Sequence, residues 1–114
     1  MKTLYRLTTF ALGLLLTTAC ATKLTISQLM ADPGHYDGKT VVTEGQVKNS
    51  AGLLGYATYQ ISDGSRTLTV VTSEGGAPRD QTRVEVKGKF HSAFSIGSQS
   101  LTVLEEQKRT PVRP

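Results

Sequence analysis

The sequence predicts an all-β domain, a small five-stranded Greek-key barrel with a short N-terminal helix, preceded by a signal peptide. Three observations carry this expectation. Apolar and polar side chains alternate from Thr58 to Ser62 and again from Thr67 to Thr72, with the turn pair Asp63-Gly64 between them, which is the pattern of a β-hairpin. Two further alternating runs each carry a glycine, Gly45 and Gly88, as strands that coil sharply around a closed barrel require. A charged start, an apolar run and a group of small residues around Cys20 have the three-part layout of a secretory signal.

In that signal Lys2 and Arg6 supply the charge, Leu7 to Leu16 the apolar run, and Thr17-Thr18-Ala19-Cys20-Ala21 the small residues. The segment resembles the signals of bacterial lipoproteins, in which a small residue precedes a cysteine that receives the lipid and becomes the first mature residue. The resemblance implies a signal peptide over residues 1–19, Cys20 as the lipid attachment site and residues 20–24 as a tether. It also implies an exported protein anchored on the periplasmic side of a membrane, with the non-acidic Ala21 pointing to the outer rather than the inner one. Thr17 departs from the pattern, which usually has leucine three places before the cysteine. Ala19-Cys20-Ala21 also reads as a small-x-small site, and a cut after Ala21 releases a soluble domain with no cysteine. Leu7 to Thr22 offers 16 uncharged residues, short of the ~20 that a helix needs to cross a bilayer core.

The 114 residues less the first 19 leave 95, enough for one domain with a modest core. Cys20 is the single cysteine, so no disulfide supports the core. Thirteen basic residues less Lys2 and Arg6 leave 11 against 9 acidic ones, scattered singly rather than in a stripe. Charge alone therefore singles out no partner.

Along the mature chain, Ile26, Leu29 and Met30 fall at helical spacing within Thr25 to Ala31, and Asp32-Pro33-Gly34 ends that short helix. The turn Tyr36-Asp37-Gly38-Lys39 launches a first strand, Thr40 to Lys48, with Val41, Thr43, Gly45 and Val47 on one face. Asn49 to Gly55 reads as a loop holding Leu53 and Leu54. Strands two and three are the hairpin arms, with Tyr59, Ile61, Leu68 and Val70 inward. Ser73 to Thr82, rich in glycine and proline, reads as a crossing loop. Val84, Val86, Gly88 and Phe90 mark the inner face of strand four, with Glu85, Lys87, Lys89 and His91 opposite. Ser92 to Gln99 reads as a second hairpin turn, Ser100 to Glu106 as strand five, and residues 107–114 as a flexible tail.

Taken in order, Tyr36-Asp37-Gly38-Lys39-x-Val41, Gly45-x-Val47, Tyr59-x-Ile61-x-Asp63-Gly64 and Val84-x-Val86-x-Gly88 resemble bacterial OB-fold domains, including small exported ones, over residues 25–106. Many OB domains place a helix between strands three and four. Here that stretch is a Gly/Pro loop, and the Thr25 to Ala31 helix is the available cover for the barrel end. The resemblance implies a ligand surface on the outer face of strands two and three, rimmed by the loops between strands one and two and strands four and five. Its outward positions are Thr58, Gln60, Ser62, Thr67, Thr69 and Val71, none aromatic, with Arg66 at the edge. On the rim loops Leu53, Leu54, Phe94 and Ile96 form either an apolar mouth for a protein partner or small ligand, or plugs for the barrel ends. Lys48, Arg66, Lys87 and Lys89 fit an anionic-ligand surface or ordinary solvated strand faces.

Several functions lack their residues. Single-strand binders stack bases on flat rings, at about 1–3 kcal/mol per base, and the predicted face offers none. Exported haem chaperones of OB type use a histidine and a tyrosine after the last strand, where this chain has Glu105-Glu106-Gln107-Lys108-Arg109-Thr110. His35 and His91 stand apart from any carboxylate or cysteine cluster, so neither a metal site nor another cofactor is expected. Asp37 and Asp63 read as turn formers, and Glu74-Gly75-Gly76-Ala77-Pro78 lacks the lysine and helix of a phosphate loop. The expectation is thus a non-enzymatic envelope lipoprotein whose barrel binds a protein partner or small ligand. A single-stranded nucleic-acid domain and a membrane-tethered spacer are the alternatives.

Overall fold

The computed structural model describes residues 21–53, 56–72 and 76–113. Its elements are β1 (Thr22–Lys23), α1 (Ile26–Ala31), α2 (Pro33–Tyr36), β2 (Thr40–Leu53), β3 (Tyr56–Ser62), β4 (Thr67–Thr72), β5 (Arg83–Ile96) and β6 (Gln99–Pro111). The strands follow the order β1-β2-β3-β4-β6-β5, and β2 pairs again with β5, which closes the sheet into a ring. β4 and β6 run parallel, while β2–β3, β3–β4, β2–β5 and β5–β6 are antiparallel. This is the OB barrel that the sequence predicts, with one two-residue strand added at its start.

Alternation decides what lies inside. Val41, Val47, Tyr59, Ile61, Leu68, Val70, Val84, Val86, Phe90 and Leu104 are buried in a single core. Two glycines let the walls come together. A Cβ on Gly88 would stand 2.2 Å from the Glu105 carbonyl oxygen, so β6 crosses β5 there with no space for a side chain. A Cβ on Gly45 would meet the Ser62 carbonyl at 2.9 Å and the Ile26 Cδ1 at 3.1 Å.

That second contact shows how the barrel end is filled. Thr25 caps α1, its hydroxyl accepting from the Gln28 N–H at 3.0 Å while the Gln28 Oε1 accepts from the Thr25 N–H at 2.8 Å. Ile26 and Leu29, both fully buried, point from α1 into the core, each contributing about 1.5–3 kcal/mol by burial. The Ser27 hydroxyl and N–H both donate to Asp63 Oδ2, which ties the helix to the β3–β4 turn. The N-terminal helix therefore does the work that many OB domains give to one between strands three and four.

Four expectations need correction. Residues 22–23 are not slack tether: they pair in parallel with Val41 and Val42, because the Leu24 N–H donates to the Val42 carbonyl at 2.9 Å. Pro33–Tyr36 forms a helical turn with proline in its first turn rather than an irregular stop. The strands also run past their predicted ends, since β2 continues to Leu53 and β5 to Ile96, so the loops assigned to Asn49–Gly55 and Ser92–Gln99 are mostly β-ribbon. Residues 107–111, expected as a flexible tail, are strand, paired from Lys87↔Lys108 to Val84↔Pro111.

Candidate binding face

Strand register lays out the outer surface as transverse rows. Thr58, Val71, Glu105 and Lys89 form one row across β3, β4, β6 and β5, and Gln60, Thr69, Val103 and His91 form the next. Side chains in these rows alternate with the core and must point outward. Val71 and Val103 are nonetheless 1% and 0% exposed. They are covered from outside, where Phe94 and Leu101 pack against them as partly buried neighbours. Phe94 and Leu101 lie opposite each other in the β5–β6 ribbon, just past a register shift between His91 and Phe94. The shift increases twist and brings the ribbon across the outer wall.

The base of the ribbon is held in place. Asp37 Oδ1 accepts from the Ser92 N–H at 2.7 Å and from its hydroxyl at 3.0 Å, and the Thr102 hydroxyl donates to the Ser92 carbonyl at 3.0 Å. The Ser92 N–H bond holds the Asp37 carboxyl below the usual carboxylate range. His91 Nε2 and Glu105 Oε1 are 2.8 Å apart, and the His91 ring lies 5.1 Å from that of Phe94. The result is an apolar strip, Val71–Val103–Leu101–Phe94, bordered by the His91 ring and the exposed Lys89.

Inside the barrel, beneath this face, lies a polar group of four. The Tyr59 hydroxyl donates to Glu106 Oε1, the Thr72 hydroxyl donates to Glu106 Oε2 at 3.2 Å, and Arg109 Nη1 donates to Glu106 Oε1 at 3.2 Å. The Arg109 guanidinium stands 5.6 Å from the Tyr59 ring centre and also donates to the Gly76 carbonyl. Burial first, then the neighbouring Glu106, pushes the Tyr59 hydroxyl far above the ordinary phenol range, so it stays protonated and serves as a donor. Tyr59 is thus the expected core tyrosine, and its hydroxyl is satisfied by a β6 residue.

The predicted site residues fall in several places. Phe94 belongs to the strip, and Gln60 borders it, accepting from the Asn49 amide at 2.9 Å. Arg66 sits at the far end of the β3–β4 hairpin, where its N–H and that of Ser65 hold the Asp63 carboxyl well below the carboxylate range. Leu53 and Ile96 are on strands described by their backbone, and Leu54 and Cys20 lie outside the described residues. The described strand ends next to the two loops lie apart. The β2–β3 connection lies at the Thr72 end of β4, whereas the register Thr69↔Val103 puts the β5–β6 tip beyond its Thr67 end.

Sequence reasoning missed Leu101, Val103, Glu106 and Arg109. Leu101 and Val103 carried a signal, since both share parity on strand five. Two grooves elsewhere are less suited to a ligand. One, of about 290 Å³, is bordered by Lys23, Glu44 and Arg83, whose charges are spent on one another and on Glu85. The other, of about 470 Å³, lies between Gln46, Gln81 and Val112, where the Gln46 amide already donates to the Gln81 carbonyl. Among the described residues no three His, Cys, Asp or Glu side chains are grouped to hold a metal ion.

Comparison with known proteins bears on the fold. No family model and no curated protein matches the chain. Solved structures do. A chain of the S. pombe Stn1–Ten1 complex superposes with a TM-score of 0.66 at 19% identity, over 84% of this chain and 81% of that one. An aspartyl-tRNA synthetase from Leishmania major and the asparaginyl-tRNA synthetase from Pyrococcus horikoshii give TM-scores of 0.63 and 0.61 at 17% and 15% identity. Each match covers 82% of this chain but only 21% and 24% of the synthetase, so this chain corresponds to one part of those enzymes. The chain has the OB fold.

Proposed function

We propose that this chain is a non-catalytic binding module that takes a protein segment or small ligand on the outer face of β3, β4 and β6, along the inner side of the β5–β6 ribbon. In this reading it is exported and anchored through Cys20 on the periplasmic side of a membrane, the outer one by the character of Ala21. The observation that carries it is the partly buried pair Phe94 and Leu101, laid over Val71 and Val103 on the outward side of β4 and β6, where it presents an apolar surface outside the barrel core. Replacing Phe94 and Leu101 with serine is the test. The variant is expected to keep its β-sheet spectrum while losing the partners recovered with membrane-extracted wild-type protein. Unfolding of the variant would make the strip part of the core instead. Intact mass of the same sample reports the anchor, as added acyl mass at Cys20 or as a chain cut after Ala21.

A second reading, single-stranded nucleic acid, is favoured by two observations. The structural neighbours include two tRNA synthetases, and the His91 and Phe94 rings lie together beside exposed Lys89. Single-strand affinity that falls steeply with salt and is lost in Phe94→Ala would establish this reading, and no binding at low salt would remove it.

A further inference from the structure

We propose that the wall formed by β2, β5 and β6, which meets the binding face along Lys89, is a contact surface for anionic lipid headgroups. The proposal deepens the anchored reading above. It rests on that reading for nearness to a bilayer, and on the charges below for everything else.

Register places Lys23, Val42, Lys87 and Lys108 in one outward row across β1, β2, β5 and β6, and Lys89 is the next outward residue of β5. The acidic neighbours are already engaged. Glu44 Oε2 accepts from Arg83 at 2.7 Å, Glu85 lies 3.0 Å from Lys23, and Glu105 lies 2.8 Å from His91. The hydrogen bond with Glu85 raises the Lys23 ammonium above its ordinary range, so this lysine is committed to its partner. Lys87, Lys89 and Lys108 remain, all exposed and without an ion pair among the described residues. Lys87 and Lys108 are directly opposite in the ladder, an arrangement of like charges that disfavours the sheet. Folding gains nothing from that pair. A surface of opposite charge would turn the repulsion into binding.

The position of β1 would bring the lysines to that surface. β1 holds Thr22 and Lys23 against Val41 and Val42. An acyl group on Cys20 would be only two residues from this fixed point, a reach of about 7 Å for extended chain. A long leash would let the barrel tumble freely. This short one keeps the lysine row beside the headgroups, and each lysine near an anionic surface adds about five-fold in affinity.

The test uses a chain beginning at Ala21, because the closed hydrogen-bond ring and the core are complete within residues 22–111. It is sedimented at low salt with vesicles of phosphatidylglycerol in phosphatidylcholine and with phosphatidylcholine alone. Binding to the first only, weakened about a hundred-fold in Lys87→Gln/Lys89→Gln/Lys108→Gln, is the expected result. Lys108→Glu separates binding from folding, since it replaces a like pair with an opposite pair. It should raise the melting temperature while weakening vesicle binding. Equal binding to neutral vesicles, no binding to either, or full binding by the triple variant would overturn the proposal. So would capture of single-stranded DNA through the same three lysines without vesicle binding, which would assign the wall to nucleic acid. Intact mass of the membrane-extracted full chain tests the anchor separately. A chain cut after Ala21 would sink the anchored reading, and vesicle binding by the lysines would be judged on its own result.

Discussion

Replacing Glu106 with leucine removes the acceptor shared by Tyr59, Thr72 and Arg109. The Glu106 and Arg109 side chains are 10% and 22% exposed, so neither is well hydrated. Breaking a buried pair from one side costs about 3–5 kcal/mol, because the remaining charge stays desolvated. Arg109 retains the Gly76 carbonyl and some solvent, which brings the expected loss to about 3 kcal/mol, with the unpaired Tyr59 hydroxyl contributing on the order of 1 kcal/mol of it. Arg109→Met alone leaves Glu106 with two hydroxyl donors and should cost about 2 kcal/mol. In the double variant no charge is left uncompensated. Its loss should be about 3 kcal/mol rather than the sum of the two, a coupling of about 2 kcal/mol. Urea unfolding of the four proteins measures this directly, provided the slope against denaturant stays constant. Additive losses within about 0.5 kcal/mol would refute the claim that these groups act as one unit.

Three further outcomes are expected. Gly88→Ala puts a methyl group 2.2 Å from a backbone oxygen, about 1 Å inside contact, and parting β5 from β6 should cost about 3 kcal/mol by thermal or urea unfolding. Leu29→Ala should cost about 2–5 kcal/mol if α1 plugs the barrel, and a loss under about 1 kcal/mol would reduce the helix to surface decoration. Asp63 and Asp37 have folded pKa values below their unfolded ones. Their contribution is present above the unfolded carboxylate range near pH 4 and is lost as pH falls toward the lower folded values. Asp63→Asn should therefore flatten the loss of stability between about pH 4 and 2 relative to wild type.

Much of the barrel could be read from the sequence because its inner face obeys a period of two. Tyr59 and Ile61, Leu68 and Val70, and Val84, Val86 and Phe90 all lie inside as alternation requires, and Gly88 marks the strand crossing. The ribbons were harder to read. Asn49 to Leu53 and Ser92 to Ile96 include serine, glycine and alanine with weak strand preference, and past the register shifts at Lys48/Ala51 and His91/Phe94 they are held by the strands opposite them. β1 has only two residues, too few for any period. The face was only partly visible for a related reason. Parity placed Val71 outward correctly, but its cover comes from Phe94 after a register shift that no local pattern signals. Glu106 and Arg109 look like solvated charges until Tyr59 and Thr72 are brought to them from other strands.

The closure of the barrel is uneven. β4 and β6 meet through three residue pairs, Thr69↔Val103, Val70↔Leu104 and Val71↔Glu105, whereas β5 and β6 run together from Val84↔Pro111 to Ile96↔Gln99. The parallel join is the seam along which this cylinder can unzip. Beyond its last backbone pair, the Thr72–Glu106 side-chain bond adds one more stitch between the same strands. Breathing should begin there, with the backbone hydrogen bonds between β4 and β6 opening to solvent at a lower free energy than those of the longer β5–β6 ladder. The barrel thus has a built-in place to part, and it lies directly under Phe94 and Leu101.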